Sequence, residues 1–422
     1  MPLELSLPAW LARLEQLHPS TIELGLDRVR RVKDALDLSP TFPIITVGGT
    51  NGKGSTCAYL DAMLTAAGYK TGLYTSPHLL RYNERVRIAG VEAGDADLVA
   101  AFERIDVARG DTSLTYFEFG TLGAMLQFVE AGVDAAILEV GLGGRLDAVN
   151  VFDADAAIVT SIDLDHQDYL GETREAIGFE KAGIYRTHRP AVCADPAPPA
   201  SLLSHAQAIG AEMRRFGEDF SVEHTPDSWR YRGHHWILSD LPLPAMAGGH
   251  QVRNAAGAIA MLETLHERLP VDEHAIKQGL GKARLPGRFQ RLGTYPEVIL
   301  DVAHNPEAAR ALAATLKEYP VAGRTLAVVG MLADKDVAGV IAALSDCVDE
   351  WFVCTPDSHR ALSATALAEC VRHVANAVAI IRNDPQSAFL AAQEQASVDD
   401  RIIAFGSFYT VSALLNHASS SL

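Results

Sequence analysis

Gly48-Gly49-Thr50-Asn51-Gly52-Lys53-Gly54-Ser55-Thr56 follows a short apolar run, Phe42 to Val47, and leads into a helical pattern over Ser55 to Ala67 that Gly68 would stop. Strand, glycine-rich loop and helix in that order make a phosphate loop. Glycines permit tight turns, so several backbone N–H groups can converge on phosphate oxygens. The helix N-terminus adds the positive end of its dipole. Lys53 is placed to neutralise β- and γ-phosphates, and a hydroxyl of Ser55 or Thr56 to bind a metal. The spacing departs from G-x-x-x-x-G-K-[ST]: counted from Gly48, three residues precede Gly52, and Gly54 is inserted before Ser55. A glycine-rich turn with a surface lysine is the bland alternative, and the strand–loop–helix placement argues against it. The loop binds nucleotide without choosing a reaction, since motors, switches and kinases share it.

Outward from the loop, further buried strands are expected at Thr71 to Tyr74, Ala135 to Val140 and Ala156 to Thr160. Continuous apolar runs separated by helical stretches give a mostly parallel sheet with both faces covered. Residues 190–245, rich in Pro, His and Trp, are expected as outer strands of this first domain, followed by a helix over Val252 to Leu269. Leu285-Pro286-Gly287-Arg288 reads as a junction, dividing the chain into domains 1–285 and 286–422. After it, strands are expected at Val298 to Val302, Thr325 to Val329, Glu350 to Cys354, Ala377 to Ile381 and Arg401 to Phe405. Helices are expected over Glu307 to Glu318 and Ala364 to Val374. The fold class is therefore α/β: an N-terminal phosphate-loop ATPase domain and a smaller C-terminal Rossmann-like domain. That second domain has no G-x-G-x-x-G after its first strand, so a dinucleotide site is not expected there.

The 422 residues exceed what one core usually holds, in keeping with two domains. A net charge of −17 argues against nucleic acid or an anionic membrane as partner. The five cysteines, Cys57, Cys193, Cys347, Cys354 and Cys370, are scattered, which argues against a disulfide framework or structural zinc and suits a reduced, cytoplasmic protein. No signal peptide or transmembrane run is expected. Only the Ser-rich tip, Ser419 to Ser421, is expected to be disordered.

Acids gather where buried strands end. Glu139 closes one strand, ahead of Gly141-Leu142-Gly143-Gly144-Arg145-Leu146-Asp147, at the sheet edge where ligands bind, and suits magnesium. Thr160-Ser161-Ile162-Asp163-Leu164-Asp165-His166 ends the next, and makes His166 a metal-ligand candidate. Ser76, in Ser76-Pro77-His78, is a further metal oxygen candidate that on its own reads as a turn. Lys181 reads on composition as a solvated helix lysine beside Glu180.

Taken together, GTNGKGS at 49–55, TSPHL at 75–79, TYFE at 115–118, EVGLGGRLDAVN at 139–150, TSIDLDHQDYLG at 160–171 and EKAGI at 180–184 resemble the Mur ligase superfamily, and within it the folate branch. GHQVRN at 249–254, LPGRFQ at 285–290, DVAHNP at 301–306 and GSFYT at 406–410 extend the resemblance over nearly the whole chain. It implies a ligase using ATP and Mg2+, with a monovalent cation such as K+ as a further ion to consider. Gly52, Lys53, Gly54, Ser55 and Thr56 would hold phosphates, and Asn254, Arg288 and Asp301 would contact ATP from the hinge and C-terminal domain. Ser76, Glu139 and His166 would bind metal, and Lys181 would be carbamylated. His304 and Ser407 would lie near glutamate and the transferred phosphoryl group.

Thr21 and Ile22 fall in a stretch, Thr21 to Arg28, that looks like the dihydropteroate loop of bifunctional members. Thr115, Tyr116, Phe117, Glu118, Leu146, Asp147 and Ala148 would complete the pterin side. The substrates implied are L-glutamate with dihydropteroate or tetrahydrofolate derivatives, handled by a monomer. The rivals are another Mur-type amino acid ligase, building peptidoglycan or cyanophycin, and a nucleotide-binding module without catalysis.

Overall fold

A computed structural model describes residues 5–20, 22–225 and 227–420, with side chains to residue 417. Of the C-terminal tip expected to be disordered, Ser419 and Ser420 instead end the helix Phe408–Ser420, while Ser421 lies outside the described residues, as does Thr21. Contacts divide the chain into two units: Met1–Ala245 with Val252–Ala283, and Met246–Gln251 with Arg284–Leu422.

In the first unit the main sheet comprises β1 (Ile44–Gly48), β2 (Thr71–Tyr74), β3 (Val86–Ile88), β4 (Val91–Glu92), β5 (Ala135–Glu139), β6 (Ala156–Val159), β7 (Pro190–Cys193) and β8 (Glu212–Arg215). Their order is β4-β3-β2-β5-β1-β6-β7-β8. The pairs β2–β3 and β3–β4 at one edge are antiparallel and the remaining pairs are parallel. β1 and β5 are buried at every position, as strands covered on both faces must be. Their register sets Val47 beside Glu139, so the phosphate loop and the acidic strand end leave the sheet side by side. The core beneath includes Trp10, Phe102 and Phe119, whose rings meet at centroid distances from 5.6 to 6.2 Å.

The expectation for residues 190–245 needs correcting. β7 and β8 do extend the main sheet, with a helix, Ala200–Ala208, between them. β9 (Ser221–His224), β10 (Ser228–Arg232) and β11 (Ile237–Pro242) instead form their own antiparallel sheet. β10 alternates buried Trp229 and Tyr231 with exposed Arg230 and Arg232, the pattern of a sheet with one wet face. A sheet this small needs an apolar face or a helix to pack against. Glu263, on the helix Gly249–Thr264, accepts hydrogen bonds from Tyr231 Oη at 2.7 Å and from the backbone N–H groups of His235 and Trp236 at 2.5 and 2.6 Å, which fixes the sheet to that helix.

The second unit's sheet runs β12 (Gln290–Thr294), β13 (Glu297–Leu300), β17 (Arg401–Phe405), β14 (Thr325–Val329), β15 (Glu350–Val353) and β16 (Ala379–Ile381). Only β12, an edge hairpin strand, runs antiparallel. β17 returns between β13 and β14, so its end meets the end of the unit's first parallel strand. Val329, Trp351, Ile403 and Phe405 lie in this unit's own core.

Candidate functional site

The phosphate loop is held from the neighbouring strand end. Thr50 N donates to Ser161 O at 2.7 Å and Asn51 N to Ser161 Oγ at 3.1 Å. Thr160 Oγ1 donates to Asn51 O at 2.6 Å, while Thr50 Oγ1 and the backbone of Asp163 bond reciprocally at 3.1 Å. The approach is so close that a Cβ on Gly49 would stand 1.9 Å from Thr160 Oγ1. Lys53 Nζ folds back over the loop, donating to Gly49 O at 2.9 Å and Thr50 O at 3.2 Å. Gly52, left-handed at φ +85°, starts the helix Lys53–Ala66 with no side chain capping it, so the first-turn amides of Lys53 and Gly54 meet no capping group. Ser55 and Thr56 are buried in that turn, and Thr56 Oγ1 has no hydrogen-bond partner. Asn254 Oδ1 lies against Gly52. The cradle fits a polyphosphate, which would receive the helix dipole, backbone donors and an ammonium at once.

Around the metal candidates, Ser76 N donates to Glu139 Oε2 at 3.0 Å, which brings two of the three together. His166 is left-handed at φ 52° and starts the short helix Gln167–Leu170, with Nε2 3.8 Å from Asp165 Oδ2. Lys181 is buried, 3% exposed, in the helix Arg174–Ala182, backing directly onto Gly144. Among the described residues, no three His, Cys, Asp or Glu side chains cluster to cage a metal. Magnesium does not need such a cage, because one or two carboxylates plus nucleotide phosphates and water suffice. Glu139, beside the phosphate loop and bonded to the backbone of Ser76, fits that hard-oxygen pattern.

The pterin-side residues also meet, and several serve the fold. Thr115 and Glu118 form a reciprocal capping box on the helix Tyr116–Ala131, with bonds of 3.2 and 2.7 Å. Buried Glu118 pairs with Arg28 at 3.2 Å, and Arg28 also pairs with Glu23. Glu23 in turn meets His18 at 2.8 Å, and His18 Nδ1 meets Ser113 Oγ at 2.6 Å. Gly25 N donates to Leu146 O at 3.2 Å. The segment carrying Ile22 is thereby tied to both the 113–118 and the 146–148 stretches. Phe117 packs over Gly141, its ring 5.7 Å from that of Tyr74.

Asp147 is buried and accepts from Leu142 N at 2.8 Å and Val149 N at 3.1 Å, capping the turn Ala148–Val151. Burial pushes its carboxyl up to about 7, despite those amides and the nearby charge of Lys53, which both favour the anion.

In the second unit Asp301, just past β13, accepts Phe289 N and Ala303 N, both at 2.8 Å. Burial raises its pKa, and the adjacent Arg288 works against the rise. His304 Nδ1 meets Val302 O at 2.8 Å. Both Arg288, at 5.8 Å, and the His304 ring, at 6.1 Å, approach the ring of Phe408. Ser407 Oγ accepts Thr410 N at 3.1 Å and meets Thr410 Oγ1 at 2.8 Å. Thus Arg288, Asp301, His304 and Ser407 gather where β13 and β17 end. Sequence reasoning assigned no role to Thr160, Ser161 or Phe408. A hydroxyl pair at the end of the strand beside β1 was the available signal for the first two.

The chain matches the Mur ligase middle domain over residues 47–262 and the Mur ligase glutamate ligase domain over residues 287–408. It is 47% identical over 410 residues to the dihydrofolate synthase/folylpolyglutamate synthase of Escherichia coli K12, covering 97% of this chain and 94% of that one. A solved structure of E. coli FolC in complex with DHPP and ADP superposes with a TM-score of 0.95 at 45% identity, covering 99% of this chain and 98% of that chain. Another, of a bifunctional folylpolyglutamate synthase/dihydrofolate synthase with Mn, AMPPNP and L-glutamate bound, gives a TM-score of 0.92 at 46% identity, covering 99% and 98%.

Proposed function

This chain belongs to the Mur ligase family, in its dihydrofolate synthase/folylpolyglutamate synthase branch, and we propose that its phosphate loop serves the ATP-dependent joining of L-glutamate to dihydropteroate and to reduced folates. The observation that carries this reading is the linkage of three stretches in one unit. The phosphate loop with Lys53 adjoins Glu139, while Asp147, within reach of Lys53's charge, is joined through Leu146 to the N-terminal segment.

ATP with its divalent metal supplies the phosphoryl group that activates the substrate carboxylate as an acyl phosphate. Lys53 and the amides at the start of its helix hold the phosphates and stabilise charge on the transferring group. Ser55 supplies the metal hydroxyl, since Thr56 Oγ1 is sealed inside the helix packing. Glu139, Ser76 and His166 complete the metal side. Lys181, buried in the helix that backs onto Gly144, is carbamylated and acts as an anion that helps position the metal. Asn254, Arg288 and Asp301 contact the nucleotide, and His304 and Ser407 orient glutamate, whose amine displaces phosphate to give the amide. Thr115 to Glu118 and Leu146 to Ala148 hold the pterin. Residues 1–285 and 286–422 are the functional halves of a monomer that works in the cytoplasm without nucleic acid or membrane. The net charge of −17 supports that last point.

Phosphate release is measured with ATP and glutamate, with dihydropteroate or tetrahydrofolate added or left out. Release should depend on glutamate and rise with either pterin substrate. Release indifferent to both would sink the assignment.

A further inference from the structure

Among the described residues, Arg85 is a cation held by neutral groups. Its Nε donates to His78 Nδ1 at 2.8 Å, and its guanidinium lies 5.5 Å from the ring centroids of both Tyr82 and Tyr116. These contacts orient the group through ring faces and one hydrogen bond without neutralising its charge. Arg85 joins no ion pair among the described residues, although its neighbours Arg81 and Arg87 both pair with Glu92. The nearest acid in sequence, Glu84, is already engaged by the N–H groups of Leu79, Leu80 and Arg81 at 2.7, 2.7 and 2.8 Å. Glu15, whose charge reaches Tyr116, stays outside ion-pair distance of Arg85.

The place of this cation limits what it can bind. Arg85 O accepts Thr75 N at 2.9 Å, one residue before Ser76, so Arg85 borders the metal side of the site. Tyr116, under its guanidinium, belongs to the pterin side. A group here sits between the reacting carboxylate and the pterin. Dihydropteroate has a single carboxylate, and that one must go to the phosphates. A reduced folate ends in a glutamyl residue with two carboxylates, of which only one reacts. The other enters the site as an anion and needs a cation.

We propose that Arg85, held against His78, Tyr82 and Tyr116, binds the non-reacting carboxylate of the folate's terminal glutamyl residue. The proposal rests on the functional reading above. It makes Arg85 a residue that serves one of the two ligations and not the other. The planar guanidinium can take a carboxylate through two parallel N–H bonds, which an ammonium cannot reproduce.

KM and kcat are measured for dihydropteroate and for tetrahydrofolate in the full chain, its R85Q variant and its R85K variant, at saturating ATP and glutamate. Losing a charge-assisted bond should raise the R85Q KM for tetrahydrofolate about tenfold to a hundredfold. KM and kcat for dihydropteroate should stay within about twofold, and R85K should recover only part of the loss. Equal losses for both substrates, or no loss for either, overturn the proposal. If R85Q does not fold, R85K decides: an unchanged tetrahydrofolate KM overturns it and a selective rise supports it. A wild-type chain that releases phosphate without regard to either substrate overturns the functional reading first, and is distinguishable because no variant is needed to see it.

Discussion

Two strand ends carry the candidate chemistry, and they are built in opposite ways. After β1 the chain makes its site out of backbone: glycines, helix amides and one lysine, pinned by Thr160 and Ser161 from the next strand. After β13 it makes its site out of side chains, with Asp301 fixing the backbone of Phe289 and Ala303 while Arg288 and His304 lean on Phe408. Backbone amides suit a ligand whose charge is spread over many equivalent oxygens. Individual side chains suit a ligand that must be told apart from its relatives. The same parallel architecture thus ends in a backbone-built loop in one unit and in a side-chain cluster in the other.

The contrast breaks most readily at the loop's one charged side chain, Lys53. Lys53→Ala should lower ATP-dependent phosphate release by about a hundredfold to a thousandfold, the range for removing one preorganised donor to a transition-state charge. The far-UV CD spectrum should be unchanged. Near-normal turnover would mean that the amides alone suffice.

A second, smaller effect concerns Asp147, which lies near Lys53 but depends on burial. Its folded pKa, about 7, is above the ordinary 3.8, so the folded state binds the extra proton more tightly than the unfolded one. The stability that this contributes is full below about pH 4 and is lost as pH rises through about 7. Relative to Asp147→Asn, the wild type should lose about 2 kcal/mol between pH 5 and pH 7, read from urea midpoints. A pH-independent difference would show that the carboxyl is not desolvated.

The smallest effect is expected in the second unit. Asp301→Asn leaves one of two backbone donors facing an amide NH2 and should cost about 1–2 kcal/mol. Arg288 loses its neighbouring acid as well, so KM for ATP should rise. A stable variant with unaltered KM would make Asp301 dispensable to this side-chain-built site.

How much was legible in the sequence follows the same divide. Central parallel strands are apolar runs, so Thr71–Tyr74, Thr325–Val329 and Arg401–Phe405 could be read residue for residue, as could the helix Ala364–Val374. The loop at 48–56 was legible because its chemistry is local. β9 to β11 were not assigned to their own sheet, because a two-sided strand such as β10 looks like any outer strand until its partners are known. β12 has the mixed burial of an edge and offered no apolar run. The role of Thr160 and Ser161 was hidden for another reason: they act on residues 109 and 110 positions away. Thr115 and Glu118 carried a readable signal, the Thr-x-x-Glu of a capping box, which the pterin reading overshadowed.

Glu263 has a consequence for anyone who would rebuild this protein. The sheet of β9 to β11 meets the rest of its unit at a carboxylate that takes Tyr231 Oη and two backbone N–H groups at once. That makes the sheet a removable part with a defined fitting. A graft or deletion of residues 221–242 must carry or replace that fitting, or it leaves an unsatisfied buried acid in the parent. An exchange that keeps a glutamate at 263 and a tyrosine at 231 has the socket and plug it needs.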